Sequence, residues 1–85
     1  MGTPNVVYSS GRVDIWWTND NGDLIQRWSV GSGWNGGNQA SGVTRPNAEP
    51  QAAWVGSQHH VYVEGVSEGT TYHWWYDGSA HSEVL

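Results

Sequence analysis

The chemistry available to this 85-residue chain sits in seven Trp, four Tyr, four His and eight acidic residues, with no Cys. Acid/base catalysis needs two carboxylates held together in a protected cleft. Asp20, Asp23, Glu68 and Asp77 fall in or beside turns, where carboxylates commonly satisfy local backbone groups. Asp14 and Glu64 stand mid-strand beside aromatics and are the pair that a glycan-cleaving enzyme would use, but they do not occupy matching positions in the pattern of the chain. His59 and His60 are adjacent, so on a strand they point to opposite faces and do not converge on one ion. Asn19-Asp20-Asn21-Gly22-Asp23 is oxygen-rich like a calcium loop but lacks the spaced bidentate Glu, and no Gly-x-Ser-x-Gly presents a nucleophile. The expectation is a non-enzymatic chain without metal or cofactor.

The aromatic residues carry the remaining signal. A pyranose ring has C–H faces that stack on Trp or Tyr, and hydroxyls that need short polar partners close by. Trp and Tyr lie among Asp, Asn, Gln, Arg and His along this chain, so sugar recognition is the chemistry its side chains fit.

The elements that must position these residues are strands. There is no Phe, no Lys and only two Leu, against twelve Gly, a composition that disfavours helix and suits short strands joined by Gly-rich turns. Thr70 to Gly78 is the clearest case, a β-branched and aromatic run ending in Asp-Gly. Alternation puts Tyr72, Trp74 and Tyr76 on one face and His73 and Trp75 on the other, so both faces are aromatic. One such face packs a core; the other needs a second surface. In a chain without Phe some Trp must be core, and Trp17, Trp28, Trp54 and Trp75 are expected there.

Earlier strands are read at Asn5–Ser9, Val13–Thr18 and Asp23–Val30, with Asn21-Gly22 forming a type I′ hairpin turn and Gly36 to Pro46 a connection without periodicity. The pattern then recurs. Pro4–Tyr8 aligns with Pro50–Trp54, Val13–Ile15 with Val61–Val63, and Ile25–Trp28 with Tyr72–Trp75, at offsets of 46 to 48 residues. Two repeats, residues 4–40 and 50–85 with 41–49 between them, form one domain, and each has the size of a β-propeller blade. Two blades do not close a ring, so homo-oligomerisation is expected to complete one; a two-sheet sandwich is the alternative.

A formal net charge of -5 argues against nucleic acid and anionic membranes as partners. The longest apolar run, Ala52–Val55, is too short for membrane insertion, and neither a signal-peptide pattern nor a myristoylation motif is expected at the start.

At Val13–Trp34 and Val61–Gly78 the chain resembles small bacterial β-propeller lectins, the two-blade fucose-binding lectins of Ralstonia and Burkholderia. It is also similar to Photorhabdus-type propeller lectins through Arg12-Val13-Asp14-Ile15 and His73-Trp74-Trp75-Tyr76-Asp77-Gly78. The first resemblance implies a six-bladed ring of three chains, a homotrimer with sugar sites within and between protomers. Where that family has an Arg and a Glu gripping fucose, this chain has Asp14 and Tyr62, then Gln26 and His73. Trp34 matches its stacking Trp, His81 stands at that place in the second copy, and Tyr76 stands where a second stacking aromatic would be. The expected function is multivalent binding of monosaccharide units of glycans, fucose or a relative, by Trp34, Tyr76, Asp14, Gln26, His73, His81, Trp74 and Tyr62. A structural or designed propeller fragment without a ligand is the alternative.

Overall fold

Strand β2 (Arg12–Thr18) shows why this sequence folds as sheet. Asp14, Trp16 and Thr18 are buried while Ile15 and Trp17 between them are half-exposed, the period of two that a pleated strand imposes. It lies between β1 (Asn5–Ser9) and β3 (Leu24–Ser29), and β3 pairs in turn with β4 (Asn35–Ala40). The second half repeats this with β5 (Gln51–Val55), β6 (Gln58–Glu64), β7 (Thr71–Tyr76) and β8 (Ala80–Val84). The computed structural model describes residues 2–85, and in them the fold is all-β: two four-stranded antiparallel meanders, each in chain order.

The ladders correct the alignment of the repeats. Asn5 stands opposite Trp16 as Gln51 stands opposite Tyr62, and Asp14 opposite Trp28 as His60 opposite Trp75. The second strands therefore correspond at an offset of 46 and the third strands at 47, so that Asp14 matches His60 and Trp16 matches Tyr62, two residues from the alignment of Val13 with Val61. A shift of two preserves which face a side chain takes, so the face assignments stand.

The two sheets pack through faces that do not correspond. Sheet one contributes Trp16 and Leu24, and sheet two Val61, Val63, Tyr72 and Trp74, to one buried cluster. The rings of Trp16 and Trp74 lie 5.0 Å apart, tilted by 56°. Trp16 corresponds to Tyr62, which is on the opposite face of sheet two, so the arrangement is head-to-tail: the inner face of sheet one is the counterpart of the outer face of sheet two. The expected core Trp residues are thereby corrected. Trp17, Trp28 and Trp75 are half-buried and Trp54 is exposed, while Trp16 and Trp74 fill the core: Trp17 and Trp75 lie on the outer faces, and Trp28 and Trp54 lie on the inner faces but border the opening between the sheets.

Residues 41–49 tie the sheets together. Thr18 Oγ1 donates to the Ala48 carbonyl at 2.7 Å, Thr44 Oγ1 donates to the Gly22 carbonyl at 3.0 Å, and the Arg45 N–H donates to the Glu64 carbonyl at 3.0 Å. Asn5 Oδ1 accepts from the Ala52 N–H at 3.0 Å, joining β1 to β5.

Two local expectations change. Asn35–Ala40 is a strand although its Gly, Asn and Gln lack strand propensity, because pairing with β3 satisfies its backbone. Gly36 takes a φ of 113° there, and a Cβ at that place would collide with the Gln26 carbonyl oxygen. The loop between β2 and β3 spans residues 19–23, longer than a two-residue type I′ turn. Asn19 organises it, its Oδ1 accepting from the N–H groups of Asn21 and Asp23, both at 3.0 Å.

Candidate functional site

Arg12 and Asp14 are two apart on β2 and so share its inner face, which turns toward sheet two. The Arg12 Nε donates to Asp14 Oδ1 at 2.7 Å and its Nη2 to Oδ2 at 2.9 Å, a bidentate pair. From β3, the Gln26 Nε2 donates to the same Oδ2 at 2.7 Å. Asp14 is fully buried and its charge is spent on holding these two side chains. Arg12 keeps three of its five N–H donors, and its guanidinium carbon lies 5.1 Å from the centre of the Trp28 ring.

Opposite them, β5, β6 and β7 present Trp54, His59, Trp74 and Tyr76. Between the sheets opens a cleft of about 420 Å³, within the range of small-molecule sites. Arg12, Gln26, Trp28 and Gln39 line it from sheet one; Trp54, Ser57, His59, Trp74, Tyr76, Asp77 and Gly78 line it from sheet two. The stacked rings of Trp74 and Tyr76, 6.3 Å apart, run up one wall.

His59 is buried against the edge of Trp54, with ring centroids 4.1 Å apart. Neither ring nitrogen has a hydrogen-bond partner, and Nε2 lies 3.8 Å from Asp14 Oδ2. Burial lowers the His59 pKa; the Asp14 charge opposes this and the Arg12 charge adds to it. At the rim, the His81 Nε2 bonds Asp77 Oδ1 at 3.0 Å and holds the Asp77 carboxyl below its ordinary range. Apart from Asp77, the charges at the cleft cancel between Arg12 and Asp14, which suits a neutral, hydroxyl-rich ligand with an apolar face.

Of the residues expected at the site, the cleft brings together Gln26, Trp74 and Tyr76, with Asp14 behind them. Tyr62 and His73 lie on the other face of sheet two, where their rings stack 4.3 Å apart within 4° of parallel. His81 is exposed beside them, with its ring 5.2 Å from Trp75, and Trp34 is exposed beyond β3, outside the cleft lining. Arg12, Trp28, Trp54 and His59 were missed. The spacing of Arg12 and Asp14 was the available signal for the first; the others required knowing which faces meet. Glu64 pairs with Arg45 at 3.1 Å on the surface, away from Asp14. Among the described residues no group of three or more His, Asp or Glu converges as a metal site.

Comparison with known protein families and with curated proteins gives no match.

Proposed function

We propose that the chain is a carbohydrate-binding lectin that binds its ligand in the cleft between the two sheets and does not turn it over. The observation that carries this reading is the pairing of aromatic walls, Trp28, Trp54 and Tyr76, with the hydrogen-bonding floor of Arg12 and Gln26. A monosaccharide unit, fucose or a relative, stacks its C–H face on the indoles and directs its hydroxyls to the floor. The buried Asp14 preorganises both donors before the sugar arrives.

Each sheet acts as one propeller blade, and copies of the chain close a ring, a trimer of six blades. Support comes from the head-to-tail packing of the sheets and from two outer faces left uncovered, one with Val6 and Tyr8, the other with Tyr62. Several clefts on one ring give avidity for clustered glycans. Isothermal titration of fucose, methyl glycosides and other common monosaccharides, with a glycan array, tests the reading. Heat of binding on at least one sugar is expected, and silence across the set overturns it.

A further inference from the structure

The outer face of sheet two carries a continuous hydrogen-bonded line: Gln58 Oε1 to His60 Nε2 at 2.9 Å, His60 Nδ1 to His73 Nε2 at 3.0 Å, and His73 Nδ1 to Glu83 Oε2 at 2.7 Å. With the Gln58 amide oxygen and the Glu83 carboxylate as acceptors at the two ends, the three links take three protons on four ring nitrogens, so that one of the two rings carries two. A half-turn of the Gln58 amide places its NH₂ on His60 instead, and two ring protons then complete the same three links. The line holds every bond in either state, with net charge zero in the first and one negative charge in the second. It stacks with Tyr62 and Trp75, and His73 is buried beneath it.

The ladders place this line where sheet one has its cleft floor. Gln58, His60 and His73 correspond to Arg12, Asp14 and Gln26. The opposing wall of that cleft, Trp54, Trp74 and Tyr76, corresponds to Tyr8, Arg27 and Ser29 on the outer face of sheet one. Tyr8, Ser29 and their neighbours already border a shallow hollow there. Trp74 packs on Trp16, whose counterpart is Tyr62, so the same packing repeated between two chains sets Arg27 of one over Tyr62 of the other. Arg27 is exposed, and no salt bridge to it is found among the described residues.

We propose that the outer face of sheet two docks on the outer face of sheet one of a second copy, and that docking expels the extra proton from the line of Gln58, His60, His73 and Glu83. This rests on the ring-closing reading above and adds to it the faces used and a dependence on pH. The Arg27 cation of the second copy favours the negative state of the line over the neutral one. Other groups do not reverse this preference. On β6, β7 and β8 the line is flanked by Tyr62, Trp75, His81 and Glu64; His81 is bonded to Asp77, and Glu64 is neutralised by its ion pair with Arg45. β5 offers Gln51, Ala53 and Val55, and the docking face offers Tyr8, Val13, Ile15, Trp17 and Ile25 around Arg27.

Sedimentation of the full chain over a concentration series at pH 7.5, 6.5 and 5.5 tests the proposal. Release of one proton per seam makes the association constant fall by up to about tenfold for each unit by which the pH is lowered. Arg27→Gln should weaken association at pH 7.5 and flatten this dependence. Nitrogen-15 NMR of the wild-type imidazoles, which needs no variant to fold, should show one fewer proton on His60 and His73 in the assembly than in the free chain at the same pH. Assembly that is independent of pH, or Arg27→Gln associating like the wild type, overturns the proton link and leaves the ring intact. A chain that stays monomeric throughout overturns both, and a monomer in which sugar shifts the indole N–H resonance of Trp75 places a saccharide on this face instead and overturns the docking.

Discussion

Gln26 on β3 donates its Nε2 to Asp14 Oδ2 on β2 at 2.7 Å, although the two are not cross-strand partners: Asp14 faces Trp28 and Gln26 faces Trp16. The bond runs diagonally across the ladder, and the same oxygen also accepts from Arg12. One buried carboxylate thus sets two cleft side chains from two strands.

Asp14→Asn should lose both stability and ligand affinity. The amide removes the charge and turns an NH₂ toward donors that need acceptors, as when one partner of a buried ion pair is removed. A loss of roughly 3 kcal/mol in urea unfolding is expected. Unchanged unfolding would mean that the three bonds are not the cleft's support.

Trp54→Ala should weaken sugar binding by about tenfold, the equivalent of roughly 1.4 kcal/mol. Trp54 is 39% exposed but covers the buried His59, so urea unfolding of the variant is measured beside the titration to separate lost stacking from lost stability. Trp34→Ala is the control, because Trp34 lies outside the cleft lining. Titration of both variants with one sugar separates a stacking wall at Trp54 from one at Trp34.

Gly36→Ala should destabilise the sheet and the cleft together. Its φ of 113° is strained for any L side chain, and the added Cβ meets the Gln26 carbonyl oxygen. A loss of about 2 kcal/mol in unfolding is expected, with reduced sugar affinity through displaced Gln26. An alanine variant as stable as the parent would show that β4 can shift freely.

Acid should destabilise the fold through His59. Burial lowers its pKa in the folded chain, so as pH falls below the ordinary value, about 6.5, the unfolded chain takes up a proton that the folded one does not. Stability therefore rises with pH through this window and is lost on acidification, by at most ~1.4 kcal/mol per pH unit from this group. His59→Gln should flatten that slope in urea titrations between pH 7 and pH 5. A slope that persists unchanged in the variant would move its cause elsewhere.

Part of this was legible in the residues themselves. The alternation of Val13 to Thr18 and of Thr71 to Tyr76 sorts side chains to two faces without any knowledge of neighbours, since the period of two is a property of the strand backbone. Gln26, Trp74 and Tyr76 were recognisable as candidates because their types suit a sugar. β4 was not legible: its Gly36 and Gly37 carry no propensity, and only the partner strand makes them a strand.

The sequence alone determined an all-β chain of two related meanders, because apolar alternation and Gly-rich turns are local and repeat twice. It did not determine which of two aromatic faces would be core, since both satisfy the same alternation. That was decided when the inner face of sheet one met the counterpart of its own outer face: Trp16 closed on Trp74, Arg12 and Gln26 turned toward Trp54, and His73 was left on the outside. Burial of apolar area is indifferent to chain order, so the cleft exists only once two surfaces distant in sequence have chosen each other.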